Sequence, residues 1–445
     1  MILVIDLGTQ SFRATVIDRH GRPLSESSTP IATHRDGPVA EQDPLQWRAA
    51  LLLALERFGS LPIRAVTASA TLSGLVCLDA NGHPLRPAIL YGDRRPASQL
   101  PAIEASPAYL ACPFRAYSGD FLPQLHYLRS AEPHHFHAAQ YLLDATGYLN
   151  FLLTTEATLD RYTTLTCYGD PTPEFPAVGR IVDPGEIIGR APALSNAPVI
   201  CVSYDSAAAY LGTALNQPGE ALDISGTVTS FGVLAGRQII DPHRRIFSIP
   251  YHGNWLVRGS TAMSGPVLDW AKDTLGDGSF SSFDTAVLQS PPGANGVTFL
   301  PFLAGARSPI WDPSASGTFH GITSQTTKAD LARAVYEGLC FALLHIIATI
   351  ESCGAPVHSI QLAGGLSRNP LLNQLKADIT GKPVLPQQST EVTTLGSATI
   401  AARVLGWLGP NDSFCATAAP LTPQNHHAFL PAFRRYNRLI DSLYS

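Results

Sequence analysis

The fold is decided by the first eighteen residues, Met1-Ile-Leu-Val-Ile-Asp6-Leu-Gly8-Thr9-Gln10-Ser11-Phe-Arg13-Ala-Thr-Val-Ile-Asp18. An apolar run ends in an acid, a small polar turn follows, and a second apolar run starts at once, which predicts a β-hairpin. Gly8 lets the backbone approach a ligand closely, and Thr9, Gln10 and Ser11 offer N–H groups and side-chain donors to anionic oxygens. Asp6 is placed to hold Mg²⁺ through water, since magnesium releases its waters reluctantly. An ordinary hairpin with a glycine turn is the alternative.

The same pattern recurs where the second half of the chain begins. It reads Ala221-Leu-Asp223-Ile-Ser225-Gly226-Thr227-Val-Thr-Ser-Phe-Gly-Val-Leu234. Two hairpins of one type, each opening a half of similar length, indicate an internal duplication rather than a short-period repeat. We place the boundary in the turn-rich break at 216–219, which gives domains 1–215 and 216–445. Two such hairpins facing each other across a cleft would bind one polyphosphate from both sides.

Composition restricts the class of protein. The chain has 445 residues, 45% of them apolar and only 15% charged, which predicts two to three globular domains. The net charge is −5 and no Lys/Arg-rich run occurs, so we expect neither a nucleic-acid surface nor an anionic-membrane surface. No signal peptide is recognised, and no apolar stretch is judged to reach the ~18 residues of a membrane span.

The cysteines and histidines give no metal motif. The seven cysteines are scattered, odd in number and without CxxC spacing, which favours free thiols in a reducing cytoplasm. His134, His135 and His137 follow Pro133 and are expected in a solvated loop. Walker A, GxGxxG, GxSxG and HExxH motifs are not found, so the usual signatures of Rossmann, hydrolase and zincin proteins are missing.

Local patterns place several further elements. A helix is predicted over 44–57, because Asp43 can cap it, Pro44 suits its first position, and Trp47, Leu51, Leu52 and Leu55 share one face. Further predictions are strands at 63–68, 74–79, 199–202 and 359–363, helices at 139–153, 328–351 and 370–380, and a long connection at 170–198. Gly364 and Gly365 lie between the last of these strands and the last helix. That position suits a flat ring or a phosphate, or simply a tight βα turn.

Taken together these motifs resemble the FGGY carbohydrate kinases of the actin-like ATPase superfamily, over nearly the whole chain and closest to the xylulokinase-like branch. In family order the motifs are Asp6–Ser11, Ile89–Arg95, Tyr204–Gly212, Ser225–Thr227, Leu303–Pro309 and Leu362–Asn369 continuing to Asp378. The resemblance implies two RNase H-like α/β domains with the active site in the cleft between them. It also implies transfer of the γ-phosphoryl group of ATP to a small sugar, a ketose such as xylulose or ribulose, with Mg²⁺ as cofactor.

The resemblance also assigns roles to residues. Asp205 would be the general base that accepts the proton of the sugar hydroxyl, the alternative being a helix N-cap. Thr9, Gln10, Ser11, Gly226 and Thr227 would hold the phosphates, and Arg13 would add charge unless it is an outward strand residue. The nucleotide would also contact Gly305, Gly364, Gly365 and Asn369, although Asn369 could instead cap the helix that follows.

The sugar side departs from the family. Thr71-Leu-Ser73-Gly74 stands where xylulokinases carry Gln-Met-His-Gly, Tyr91 replaces tryptophan, Tyr204 replaces a small residue or histidine, and Ala306 replaces glutamate. Thr71, Ser73, Tyr91, Asp93 and Asp205 are the candidate substrate residues. Because exchanged hydrogen-bonding groups can change specificity greatly, the substrate stays open between ketoses and glycerol, a tetritol or a hexulose.

Two functions of a different class also fit these motifs. One is a non-catalytic relative that binds ATP or sugar, and the other is a chaperone-like or filament-forming ATPase. The retained Asp6, Asp205 and both Gly-Thr turns favour catalysis over pure binding, because a binding protein has no need of a general base. The oligomeric state stays open, a homodimer being one alternative.

Overall fold

The chain folds into two units, seen in a computed structural model that describes residues 1–112 and 114–444. The first unit comprises Met1–Ala214 and Val392–Cys415, and the second comprises Leu215–Glu391 and the chain from Ala416 onward. The sequence-based division leaves 392–415 in the second domain, whereas in the structure this segment packs in the first unit.

The first unit contains a six-stranded sheet and three small sheets. Its strands are β1 (Ile2–Leu7), β2 (Ser11–Ile17), β3 (Pro23–Pro30), β4 (His34–Asp36), β5 (Val39–Gln42), β6 (Ala65–Ala70), β7 (Val76–Leu78), β8 (Ala88–Ile89), β9 (Tyr141–Leu143), β10 (Thr158–Asp160), β11 (Arg180–Val182), β12 (Ile187–Ala191) and β13 (Ala197–Cys201). The large sheet has the order β12-β13-β6-β1-β2-β3. β1 and β2 form the predicted hairpin with Asp6 opposite Arg13, while β6 and β13 lie parallel beyond β1.

The second unit repeats this plan. Its strands are β14 (Glu220–Ser225), β15 (Thr229–Ala235), β16 (Phe247–Tyr251), β17 (Asn254–Ser260), β18 (Thr298–Leu300), β19 (Thr318–His320), β20 (Ser359–Ala363) and β21 (Val384–Pro386). The six-stranded sheet has the order β16-β17-β15-β14-β20-β21. β14 and β15 form the second predicted hairpin, and β20 and β21 lie parallel beyond β14. Each sheet therefore has an antiparallel part that opens with a Gly-Thr hairpin and a parallel part beside its first strand.

Helices cover the sheets. They are α1 (Pro44–Phe58), α2 (Leu100–Glu104), α3 (Pro107–Ala111), α4 (Phe121–Ala131), α5 (Pro133–Ala138), α6 (Ala145–Thr154), α7 (Arg161–Thr164), α8 (Asp205–Gly212), α9 (Gly265–Leu275), α10 (Phe280–Gln289), α11 (Lys328–Ser352), α12 (Pro370–Thr380), α13 (Val392–Val404) and α14 (His426–Tyr444). Short 3-10 helices occur at Arg95–Gln99, Leu165–Cys167, Pro176–Val178, Pro192–Leu194, Ala294–Gly296 and Gly365–Arg368.

The start of α1 follows the predicted local chemistry. The Asp43 side chain accepts the Leu45 N–H at 2.9 Å and Pro44 occupies the first turn. Trp47 and Leu51 are buried as predicted, but Leu52 is 56% exposed. The inward face continues through Ala54 and Phe58 instead, since a period of 3.6 residues carries position 52 outward.

Four other expectations needed correction. The stretch 139–153 is strand β9 followed by α6, and the connection 170–198 contains β11 and β12. The three clustered histidines lie in the short helix α5 rather than in a loop. Helix α11 is long and apolar enough to pass a length-and-composition test for a membrane span, contrary to the sequence-based expectation; 72% of that window is buried inside the protein, as in a core helix.

Helices α8 and α13 touch backbone to backbone in the first unit. A Cβ at Gly212 would lie 2.0 Å from the Gly396 Cα, and one at Gly396 would lie 2.4 Å from the Ala208 carbonyl oxygen. Only glycine permits this approach, so the two helices are locked at a single crossing point. The segment 392–415 is thus part of the packed core of the first unit.

Candidate active site

The first hairpin ends in an accessible turn. The Gly8 N–H donates to the Ser11 carbonyl at 2.9 Å, and Thr9 and Gln10 are exposed. The turn is fixed from behind, because Gln42 Nε2 donates to the Thr9 carbonyl at 2.9 Å and the Ile31 N–H donates to the Gln10 carbonyl at 2.9 Å. A rigid turn with outward polar groups suits an anionic ligand.

Asp6 lies at the end of β1 with a cationic partner. It is 5% exposed, and Arg13 Nη2 donates to its Oδ2 at 2.7 Å across the hairpin. The Arg13 side chain is 35% exposed, so Arg13 is both the partner of Asp6 and an accessible positive charge. A single carboxylate fits a magnesium ion that keeps most of its waters. Among the described residues no group of three or more His, Cys, Asp or Glu side chains could hold a metal ion directly.

The second hairpin is braced by the loop before α9. The Gly226 N–H donates to the Val228 carbonyl at 2.9 Å, and the exposed residue Thr227 stands at the tip. Ser264 and Gly265 donate their N–H groups to the carbonyls of Thr227 and Gly226, both at 2.8 Å. These hydrogen bonds engage carbonyl oxygens of the turn, which would otherwise repel an anion. The N–H and hydroxyl donors at the tip are the groups that favour anion binding.

A buried polar network lies under this hairpin. Lys376 Nζ of α12 donates to Asp223 Oδ2 at 2.6 Å and to Ser225 Oγ at 3.0 Å. Ser225 Oγ also donates to Asp223 Oδ1 at 2.6 Å. Lys376 and Asp223 are 4% and 0% exposed, so this ion pair is shielded from water. The sequence analysis assigned no role to Lys376, which lies on a buried face of α12 beside Asn373 and Thr380.

Strand pairing brings the predicted nucleotide residues of the second unit together. β14 and β20 are parallel neighbours, so the turns that follow them meet at one edge of the sheet. Gly364 has φ +82°, and a Cβ on it would lie 2.5 Å from the Ser225 carbonyl oxygen. A Cβ on Gly365 or Gly226 would meet nothing within 4 Å. Gly226 and Gly365 thus face open space, whereas Gly364 permits the close approach of the two turns. The three glycines together form what we call the open glycine edge, a surface on which a flat ring or a phosphate can rest.

Asn369 has a structural role at this edge. Its side chain caps α12 by accepting the Leu372 N–H at 3.0 Å. Its Nδ2 donates to both carboxylate oxygens of Asp284 at 3.2 Å and to the Tyr336 hydroxyl at 3.0 Å. The cap considered as the alternative is therefore present, and the amide is engaged inside the unit.

Gly305 lies in the wall of a small pocket that opens to solvent. The wall also includes Thr261, Phe302, Arg307 and His345. The Thr261 hydroxyl accepts the Thr229 N–H at 2.9 Å, which connects the pocket to the second hairpin. Burial lowers the pKa of His345 to about 4, so the imidazole facing this pocket is neutral near pH 7.

Asp205 is the first residue of α8. The N-cap position is held by Tyr204, which has no side-chain cap bond, so the N-cap alternative for Asp205 is wrong. The partly exposed Asp205 carboxylate accepts the N–H of Ser206 at 2.6 Å. A carboxylate in the first turn of a helix is stabilised by the helix dipole, which favours the ionised form that a general base needs.

The two sugar-side segments of the first unit are neighbours. Leu75 and Ile89 exchange backbone hydrogen bonds at 2.9 and 3.0 Å, which places 71–74 beside 90–93. Thr71 is half-buried and Ser73 is 0% exposed with φ +62°. The Ser73 Oγ has no hydrogen-bond partner within the described chain. The smaller residue at the family's histidine position therefore leaves an unused hydroxyl here.

The carboxylate of Asp93 accepts hydrogen bonds from within the first unit. It is 0% exposed and accepts the Ala40 N–H at 3.0 Å, the Arg95 N–H at 2.9 Å and Arg95 Nη2 at 2.7 Å. Its oxygens are all engaged, so in this conformation Asp93 holds Arg95 rather than presenting a free carboxylate. Tyr91 is half-buried, and its ring lies 5.0 Å from that of Tyr117.

Gln124 and Gly119 were missed from the sequence. Gln124, fully buried on α4, donates to the carbonyls of Leu90 and Gly119 at 3.2 Å and accepts the Leu75 N–H at 3.1 Å. It thereby ties three segments of the sugar side together. A Cβ on Gly119 would lie 2.1 Å from the Tyr91 carbonyl oxygen. The only available signal was a glutamine on the apolar face of a helix.

Family models match both halves of the chain. Residues 1–165 match the N-terminal domain of the FGGY family of carbohydrate kinases, and residues 223–405 match its C-terminal domain. A xylulose kinase from Staphylococcus epidermidis is 27% identical, with 100% of this chain and 96% of that protein covered. A glycerol kinase from Alkalilimnicola ehrlichii is 29% identical, with coverages of 95% and 94%.

Solved structures confirm the expected fold. The crystal structure of a ligand-bound xylulose kinase from Lactobacillus acidophilus superposes with a TM-score of 0.91, at 22% identity, covering 100% of this chain and 98% of that one. The two α/β units are therefore those of the actin-like ATPase fold.

Proposed function

The chain belongs to the FGGY family of carbohydrate kinases and is an ATP-dependent sugar kinase, and we propose that its acceptor is a ketose such as xylulose or ribulose. The match of both halves of the chain to one kinase family shows the kinase, and the observation that supports a ketose acceptor is the full-length similarity to a xylulose kinase, 27% identical. The open glycine edge of Gly226, Gly364 and Gly365 supports the nucleotide assignment independently.

We assign the chemistry of the first unit to Asp205. Its carboxylate would accept the proton of the sugar hydroxyl as the new O–P bond forms. Thr9, Gln10 and Ser11 would orient the terminal phosphates through N–H and hydroxyl donors, with Arg13 supplying positive charge. Mg²⁺, usual for the family, would neutralise charge on the phosphate oxygens, and Asp6 is the residue we assign to hold it through water.

The second unit would bind the nucleotide. Gly226 and Thr227 would contact the phosphates at the hairpin tip, and Gly364 and Gly365 would support the adenosine on exposed backbone. Gly305, in the wall of the pocket that Thr261 also lines, remains a proposed nucleotide-binding residue. A reducing cytoplasm is the proposed location, in keeping with seven free thiols.

The acceptor is tested by measuring ADP release with pentuloses, hexuloses, aldoses, glycerol and tetritols. We expect a pentulose to give the largest kcat/KM. The glycerol kinase relative makes glycerol the second candidate. A larger kcat/KM with glycerol would replace the ketose proposal, and equal ATP turnover with every acceptor and with none would contradict sugar phosphorylation.

The base is tested by Asp205→Asn. We expect kcat to fall by about 10² or more with ATP binding retained, because the amide cannot accept the hydroxyl proton. Asp36→Asn, at an exposed position of β4, is the matched control and should behave as wild type. Near-normal turnover of the Asp205 variant would remove Asp205 as the base.

A further inference from the structure

The turn that leads into α8 contains a strained residue. Ser203, two residues before Asp205, has φ +73°, in the left-handed region that residues other than glycine rarely adopt. Its side chain is 0% exposed. Such a conformation costs on the order of 1 kcal/mol and persists only when its surroundings hold it in place.

A buried carboxylate holds Ser203. The Ser203 Oγ donates a hydrogen bond to Oδ1 of Asp160, a residue only 3% exposed at the end of β10. Asp160 is itself fixed, because it caps α7 by accepting the N–H groups of Tyr162 at 2.9 Å and Thr163 at 3.2 Å. The strained turn is thus anchored to the start of a neighbouring helix.

The anchor extends one step further. Thr163 Oγ1 lies within hydrogen-bond distance of Asp160 Oδ2 and, at 3.1 Å, of Asp144 Oδ2. Asp144 is 1% exposed and caps α6 by accepting the Gly147 N–H at 2.7 Å. A continuous chain of buried hydrogen bonds therefore runs from the starts of α6 and α7 to the turn before Asp205.

We propose that Ser203, held by Asp160, is a positioning residue that sets the direction in which the Asp205 carboxylate points at the sugar hydroxyl. This inference rests on the proposed role of Asp205. Ser203 and Tyr204 are the last two of the three residues that connect β13 to α8, so their dihedral angles set where the first residue of α8 stands. Because misplacing a reacting group by about 1 Å can cost 10²-fold in rate, a hydrogen bond that fixes this turn affects catalysis without touching the substrate.

The test compares Ser203→Ala with Ser203→Gly. Alanine removes the Oγ and keeps the strain, so we expect kcat to fall by about 10- to 100-fold with the KM values for ATP and sugar changed less than threefold. Glycine adopts the left-handed turn without strain, and we expect its kcat to lie between those of the alanine variant and wild type. Asp160→Asn keeps an acceptor oxygen at the Oδ1 position and should stay within about threefold of wild type.

Ser195→Ala is the matched control. Ser195 is another left-handed serine of the first unit, with φ +53°, but it is exposed and follows a 3-10 helix that ends before β13. Its alanine variant should keep wild-type kcat. If Ser203→Ala does not fold, Ser203→Gly carries the test, and a wild-type kcat for the glycine variant would overturn the inference.

The experiment distinguishes failure of the positioning role of Ser203 from failure of the proposed function. Sugar-dependent ADP release by wild type together with normal kcat for Ser203→Ala would overturn the positioning role alone. Absence of sugar-dependent turnover in wild type would overturn the proposed function and this inference with it. A fall in kcat that is matched by a large rise in both KM values would also contradict positioning, since it would indicate general loosening of the site.

Discussion

Asp6 of the first hairpin is paired with Arg13 on the adjacent strand, whereas Asp223 of the second hairpin is paired with Lys376, which comes from helix α12 behind the sheet. The cationic side chain is 35% exposed in the first pair and 6% exposed in the second. One sequence pattern, an acid before a Gly-Thr turn, thus occurs with an accessible pair in one unit and a buried pair in the other.

This difference in exposure indicates different roles: the ion pair of the first hairpin can take part in ligand binding, whereas the ion pair of the second hairpin supports the fold. An accessible ion pair contributes little to stability and can exchange its partner for a phosphate or a hydrated metal ion. An ion pair that is shielded from water cannot exchange its partner without a large cost in free energy, because a lone buried charge is strongly unfavourable. We therefore expect the first hairpin to respond to ligand, and the second to be held in place for its tip and the glycine edge to act.

The largest expected effect comes from breaking the buried pair. Lys376→Met leaves Asp223 without its cation in a dry site, which should lower the free energy of unfolding by about 3–5 kcal/mol. Chemical denaturation measures this change. Lys382→Met, which removes a partly exposed partner of Glu351, is the control and should cost about 1 kcal/mol or less.

A double variant tests whether the uncompensated charge of Asp223 causes this loss of stability. Asp223→Asn combined with Lys376→Met removes both charges, so much of the lost stability should return. A double variant as unstable as Lys376→Met would indicate that packing of the lysine stem, rather than the uncompensated charge, dominates.

Two buried acids of the first unit, Asp144 and Asp160, are linked through the Thr163 hydroxyl and have raised pKa values. Burial, followed by the nearby Asp160, raises the pKa of Asp144 to about 8, and burial also raises the pKa of Asp160. A raised pKa in the folded state means that stability is present below the unfolded pKa near 3.8 and is lost as pH rises through about 8. One proton can contribute a slope of up to ~1.4 kcal/mol per pH unit in this window.

Asp144→Asn tests this pH dependence. The amide does not titrate and still caps α6, so the stability of the variant relative to wild type should rise between pH 5 and 8 and level off above that range. The other titratable groups near the two acids are the thiols of Cys167 and Cys201, whose pKa values are raised well above normal by burial. Parallel stability curves for the two proteins would show that Asp144 does not hold the proton.

The smallest effect on stability is expected at the accessible pair. Arg13→Gln should lower the free energy of unfolding by less than Lys376→Met does, because the arginine is 35% exposed and water can reach its side of the pair. Its kinetic effect should be larger, with kcat/KM for ATP reduced about tenfold through loss of positive charge near the phosphates. Arg22→Gln, which removes the exposed partner of Asp18 on the same meander, should leave both quantities unchanged. If Arg13→Gln destabilises the protein as much as Lys376→Met does, the proposed difference between the two ion pairs is wrong.

Local chemistry made much of the fold predictable. Both hairpins, the Asp43 cap, helix α11 and the strand-turn-helix around Gly364 follow from short-range patterns of apolar residues, caps and glycines. Leu52 was wrongly placed inside because four residues were assigned to one face without following the 3.6-residue period.

Distant partners were not predictable in this way. Lys376 reaches Asp223 across 153 positions, and Asp93 is bonded by Ala40 across 53. A single sequence shows which side chains carry charge but not which backbone the topology brings beside them. The same limit hid Gln124. It also led the sequence analysis to favour a ligand role for Asn369 over the cap role that its bond to Leu372 shows, with its amide bonded to Asp284 and Tyr336.

The return of residues 392–415 to the first unit has a consequence for synthesis on the ribosome. Helix α13 locks against α8 at Gly212 and Gly396, yet it emerges only after the continuous part of the second unit has been made. At ~5–20 residues per second, the N-terminal two hundred residues wait on the order of ten seconds or more for their last helix. During that interval the nascent chain leaves exposed the surface of α8 around Gly212 that α13 will cover.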